Sequence, residues 1–188
     1  DPTSRVLVSW ATAVEDGVER LQRWSVPAFL LLAFLALLHG NHRVGLFESS
    51  EARYAEVARE MVDTGDYLSP QIDYVHHFTK PPLTYWITAA GYLLFGASPF
   101  GARFFVAVAS VLLLAVTAWL CRLEQPRSSG VAAAAFLFFN LEFFALSKVL
   151  TTDLYLALWI ASGFLLWRLR EAGRLPVAAH VLPHEVAV

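Results

Sequence analysis

The side chains able to do chemistry are concentrated in one polar stretch, residues 43–80, which reads RVGLFESSEARYAEVAREMVDTGDYLSPQIDYVHHFTK. It offers the carboxylates Glu48 and Glu51, the guanidinium groups of Arg53 and Arg59, the adjacent imidazoles of His76 and His77, and Lys80 directly before Pro81 and Pro82. Pro81 pushes Lys80 towards an extended backbone, so its ammonium group is presented from a stiff segment. Two readings of that lysine stand: an anion site, or a side chain snorkelling to the headgroup level of a membrane. The histidine pair lacks neighbouring acids or cysteines and reads as interfacial rather than metal-binding.

Local signals place these groups. Ser49 and Ser50 suit a helix N-terminus, Glu51 falls in the first turn where the macrodipole favours an acid, and Gly65 suits the position after the last turn. A helix over 51–63 follows, with an Arg59–Asp63 pair at i, i+4 and a narrow stripe of Ala55, Ala58 and Val62 facing the membrane surface. Periodicity by itself describes no more than a solvated amphipathic helix.

The remainder of the chain is apolar. Of its 188 residues 57% are hydrophobic and 16% charged, and the mean hydropathy is +0.52, which points to a bilayer as solvent. A net charge of −2 without a basic cluster excludes a nucleic-acid surface. The single cysteine, Cys121, ends an apolar run and reads as packing. Four segments are expected to cross the membrane, at about 22–42, 104–121, 131–147 and 151–167, because a hydrocarbon core of about 30 Å needs roughly 20 helical residues. The thirteen-residue stretch 83–95 is aromatic-rich and is expected to lie on the surface. With four spans, eight arginines fall on one side in short segments, which makes that side cytoplasmic by the positive-inside rule.

The expected organisation is a cytoplasmic surface helix at 1–24, a membrane module at 25–170 with an external loop at 43–100, and a cytoplasmic tail at 171–188. No signal-peptide cleavage pattern follows His39, so the first span is expected to be retained. Two further acids lie at membrane depth or its edge. Asp153, in LTTDLYLAL, is costly there without a use or a partner, and Lys148 is the nearest candidate partner. Glu142 is expected to face the bundle interior with Asn140.

Together, SEARYAEVAREM, TGDYLSP, FTKPPLTYW, LFGASPFGARF and LTTDLYLAL resemble, in order and spacing, the ArnT-like phospholipid-carrier-dependent glycosyltransferases, bacterial relatives of the protein O-mannosyltransferases. The resemblance covers roughly residues 26–170, the N-terminal part of that family's membrane module. It implies an all-α integral membrane protein with a GT-C-like multi-span bundle and juxtamembrane helices in the first external loop. It further implies a bacterial inner-membrane location with the N-terminus cytoplasmic, and transfer of a monosaccharide, with inversion, from a polyprenyl phosphate to a lipid or protein acceptor. No nucleotide sugar or cofactor is required, and no nucleotide-binding Gly-rich loop is present.

By the same resemblance Glu51 is the first candidate for the general base, with Glu48 three residues upstream as its alternative, and Asp153 matches a functional aspartate. Arg53 and Lys80 match the cations that hold the lipid phosphate, and Tyr54 and Tyr85 are placed in the substrate cavity. The chain departs from the family pattern in two places. Ser50-Glu51 stands where many members have Asp-Glu. Thr79 precedes Lys80 where an acid that helps bind a metal in some relatives is frequent, so no metal is expected at that position and a divalent ion elsewhere is left open. A competing reading is a non-catalytic polyprenyl-phosphate transporter using the same cations. The chain is expected to be inactive in isolation, since most of the cavity wall would lie outside it.

Overall fold

The computed structural model describes residues 24–46, 49–124 and 129–174. The surface helix expected over 1–24, Glu48 and most of the tail at 171–188 lie outside the described residues.

The described part is mainly helical. The first apolar run forms α1, Trp24–Leu38, which gives way to a turn at Gly40, where φ is +79°. The polar loop contributes α2, Ser49–Thr64, and a short hairpin of β1, Gln71–Ile72, and β2, Val75–His76. Then follow α3, Leu83–Phe95; α4, Pro99–Glu124; α5, Ser129–Phe138; α6, Leu141–Leu146; and α7, Asp153–Glu171.

Helix α4 has 26 residues, whereas the apolar run predicts a start only at 104. Its earlier start has a local cause: the Ser98 hydroxyl accepts the Gly101 N–H at 3.1 Å as an N-cap, and Pro99 occupies the first helical position, where a missing N–H costs nothing. At 1.5 Å per residue α4 is roughly 39 Å long, more than a hydrocarbon core. Among the described residues it is the one helix long and apolar enough to cross a membrane by itself; α1, α3 and α5 are shorter apolar helices.

The continuous span expected over 131–147 is broken. Asn140 takes an extended conformation (φ −67°, ψ 126°) and its side-chain oxygen accepts the Phe143 N–H, capping α6 and ending α5. A short amide side chain can compete with the helical ladder in this way. Glu142 is exposed in the first turn of α6 rather than turned into the bundle.

Packing sets the polar loop on the apolar helices: α2 lies against α3, α3 against α4, and α4 against α5 and α7. The stripe expected to rest on the membrane instead meets protein, since Ala55 and Ala58 are buried with Val57 and Met61. Close approach of α3 and α4 depends on two glycines. A Cβ at Gly91 would stand 2.2 Å from the Gly101 carbonyl oxygen, and one at Gly101 would stand 2.5 Å from that of Gly96. Replacing Gly91 with alanine is therefore expected to lower stability by about 1–3 kcal/mol, as overpacking does. Gly163→Ala, where nothing lies within 4 Å, should be neutral or mildly stabilising in the same thermal-unfolding measurement.

Candidate active site

At the end of the bundle where the polar loop packs lies a buried polar hub. Glu51, 1% exposed, sits in the first turn of α2, and Arg103, 3% exposed, in the second turn of α4. Arg103 Nε donates to Glu51 Oε1 at 2.7 Å and Nη2 to Oε2 at 2.7 Å, the fork geometry that makes arginine–carboxylate pairs strong. The remaining guanidinium donors reach the Val44 and Gly45 carbonyls at 2.7 and 2.8 Å. Glu51 Oε1 also accepts the Leu150 N–H at 2.9 Å. Burying two charges is costly unless the geometry is good and the other donors are satisfied, and both conditions hold here.

Lys148 completes this end of the bundle without touching Asp153. Its ammonium group donates to the carbonyls of Ala36, Leu37 and His39 at 3.1, 2.6 and 2.8 Å, so it caps the C-terminus of α1. A cation at that terminus meets orphan carbonyls and the negative end of the helix dipole. Burial, and secondarily the charge of Arg103, pushes the Lys148 ammonium below the usual lysine range. The Lys148–Asp153 pairing considered from sequence is thus replaced: Asp153 stands exposed at the start of α7, accepting from the Thr151 hydroxyl at 3.1 Å.

Arg53 and Lys80 are both exposed, on α2 and just before α3. The residue after Arg53 meets α3 in a tyrosine contact. The rings of Tyr54 and Tyr85 are 5.9 Å apart and tilted by 56°, and both residues are buried. Arg53 and Thr79 lie close enough to act on the Tyr85 hydroxyl, yet that hydroxyl has no hydrogen-bond partner of proper geometry. The structure therefore gathers Arg53, Tyr54, Thr79 and Tyr85, and Lys80 follows Thr79 directly in the chain.

Asp153 is linked to this group through the hub. Arg53 is two residues from Glu51 and Asp153 three from Leu150, so at 3.80 Å per Cα step their Cα atoms lie within about 8 and 11 Å of the Cα atoms of the two residues that share one hydrogen bond. Thr79 offers one neutral hydroxyl, already 2.7 Å from His77 Nε2, while His76 stacks on Phe78. Among the described residues no three His, Cys, Asp or Glu side chains come together.

The segment between the two cations has order that its composition does not announce. Asp73 and Tyr74 form a two-residue turn with φ of 52° and 61°, a conformation usually left to Asn-Gly or Asp-Gly. Glu60 of α2, 2% exposed, supports it: its carboxylate accepts the Asp73 N–H at 2.7 Å and the Tyr74 N–H at 3.2 Å. Nearby, the Leu68 and Ser69 N–H groups hold the Asp66 carboxyl below its usual value of 3.8, and the hydrogen bond from Arg59 does the same for Glu56, usually 4.5.

Because these folded values lie below the unfolded ones, the associated stability is present above the unfolded values and is lost as pH falls through the folded ones. Hydrogen exchange at the Leu68 and Ser69 amides, corrected for its intrinsic rate, should accelerate below about pH 4 and stay flat from about 5 to 8.

Arg103 and Glu60 were not singled out from sequence. Arg103 carried a signal nonetheless, for a cation near the N-terminal end of a long apolar helix opposes the helix dipole and requires a partner. Glu60 carried a weaker one, as an acid flanked by residues of the buried face.

Apolar helices with a polar, cation-bearing loop packed on them define a mainly helical module. The chain belongs to the dolichyl-phosphate-mannose-protein mannosyltransferase family, whose model matches residues 24–177. It is 37% identical over 127 residues to an undecaprenyl phosphate-alpha-4-amino-4-deoxy-L-arabinose arabinosyl transferase 2 of Pseudomonas fluorescens, a match covering 63% of this chain and 22% of that protein. With the corresponding enzyme of Aeromonas salmonicida the identity is 30% over 167 residues, covering 87% and 30%. Crystal structures of ArnT from Cupriavidus metallidurans, in the apo state and bound to undecaprenyl phosphate, each superpose with a TM-score of 0.66 at 29% identity, over 82% of this chain and 28% of that one. The chain thus spans less than a third of the length of these relatives.

Proposed function

We propose that the protein transfers a monosaccharide from a polyprenyl-phosphate carrier to an acceptor outside the cytoplasm, with inversion at the anomeric carbon. The observation that carries this reading is the Tyr54–Tyr85 contact that joins α2 to α3, with the exposed Arg53 directly before Tyr54 in α2 and the exposed Lys80 leading into α3. Its relatives are named for undecaprenyl phosphate-linked aminoarabinose, and a solved relative binds undecaprenyl phosphate. In this reading Arg53 and Lys80 hold the departing lipid phosphate, where negative charge grows, and fixed cations serve that better than solvent. The donor brings its own leaving group, so no nucleotide sugar enters.

The base in this proposal is Asp153. Both Glu51 oxygens already accept from Arg103 and the side chain is shut away from solvent, so an acceptor hydroxyl reaches it only by breaking the hub. Asp153 is exposed and needs no such rearrangement. Glu51 becomes the anchor, and Glu48, outside the described residues, is not assigned a role. The proposed setting is a bacterial inner membrane, with several spans, the polar loop on the outer side, and lipid A, another lipid or a protein as acceptor.

The test is product formation by the full-length protein in proteoliposomes with labelled undecaprenyl-phosphate-linked aminoarabinose and lipid A. Label attached to the acceptor supports the proposal. Label carried across the bilayer but never attached would identify a transporter instead.

A further inference from the structure

We infer that Arg103 is a positioning residue for this reaction: it holds the phosphate-binding turn of α2 and the Asp153 turn of α7 in one register. The inference rests on the proposed function and adds to it a residue of α4 that touches neither donor nor acceptor.

The argument begins with connectivity. Four chain segments meet at one guanidinium–carboxylate pair. Arg103 contributes α4; Glu51 contributes the start of α2; the Val44 and Gly45 carbonyls contribute the segment leaving α1; and the Leu150 N–H, bound to Glu51, contributes the approach to α7. Lys148, two residues before Leu150, fastens the same approach to the end of α1. The segment leaving α1 and the approach to α7 are irregular, with few means of their own of holding a position.

The two groups that must act together lie on different sides of the pair. Arg53 follows Glu51 by two residues, and Asp153 follows Leu150 by three. Lys80 and Tyr85, by contrast, are tied to α2 through helix packing and the tyrosine contact, which do not pass through Arg103. Loosening Arg103 should therefore leave the phosphate clamp assembled while freeing the base from its place. A displacement of about 1 Å in a reacting group can cost about 10²-fold in rate.

This predicts a split. In the full-length enzyme, Arg103→Gln should lower kcat about 10²-fold, with little change in KM for the lipid-linked donor and an unchanged stoichiometry of bound undecaprenyl phosphate. Spin labels at cysteines replacing Ala52 and Ala157, in a background with native cysteines removed, should give a narrow distance distribution in the wild type and a broad one in the variant. Glu51→Gln combined with Arg103→Gln removes both charges, so the unfolding temperature should recover, as expected when no lone buried charge remains; kcat should not.

Should Arg103→Gln fail to insert, Arg103→Lys, which keeps the charge but not the fork, is read in the same way. Wild-type kcat per bound donor in the single variant, or recovery of kcat together with stability in the double one, would overturn the inference. Absence of product from the wild type overturns the proposed function instead, and the distance measurement still reports on Arg103.

Discussion

Lys80→Ala and Arg53→Ala are each expected to lower sugar transfer by about 10²- to 10³-fold, the scale seen when one fixed group stabilising transition-state charge is removed. Both side chains are exposed, so their loss leaves no cavity and no unpaired partner. Stability should change by no more than about 0.5 kcal/mol. Arg53→Lys should recover part of the activity, since lysine supplies a point charge but not a fork of donors. The measurement pairs the transfer assay with protease protection of the inserted protein. Full activity in either alanine variant would remove that residue from the clamp.

The second large effect separates the two acids. Glu51→Ala leaves Arg103 buried without its carboxylate, and breaking a buried pair in this way costs about 3–5 kcal/mol. That variant should unfold at a markedly lower temperature and accumulate poorly. Asp153→Asn, at an exposed helix start, should be nearly as stable as the wild type yet lose about 10²- to 10⁴-fold in kcat, the range for general-base catalysis. The opposite pattern, a stable inactive Glu51 variant beside an active Asp153 variant, would return the proton-accepting role to Glu51.

Helix α2 was legible because its signals are local. Glu51 in the first turn and Gly65 after the last bracket a helix read as 51–63 and found over Ser49–Thr64, with the Arg59–Asp63 pair in place. Helix α3 matches the apolar stretch 83–95 for the same reason. The cap of Ser98 and Pro99 was equally local, but the apolar run that starts at 104 drew the boundary too late. Asn140 broke an expected span because an amide surrounded by phenylalanines reads as apolar in any windowed average, although its own side chain can end a helix.

The hairpin over 71–76 was invisible for a different reason. Asp-Tyr is a poor turn sequence, and the carboxylate that makes it workable comes from Glu60, 13 residues earlier. Of the site residues, Lys80 was marked by the prolines after it and Asp153 by its place at the edge of an apolar run, while the roles proposed for these two and for Arg53 came from motif resemblance. What the resemblance could not show was the company Glu51 keeps: the Arg103 and Leu150 that occupy it are 52 and 99 residues away.

Local signals alone determined α2, α3 and the apolar character of the helices around them, through composition, helix-end chemistry and prolines, which act within a few residues; the expectation of chemistry in the polar loop began there. Only the tertiary structure decided that Glu51 is an anchor in geometry, that Lys148 closes α1 instead of pairing with Asp153, and that Arg103 joins them. A hydrogen bond between distant residues exists only once helices have packed and brought its donor within about 3 Å of its acceptor. No periodicity in the chain records that distance.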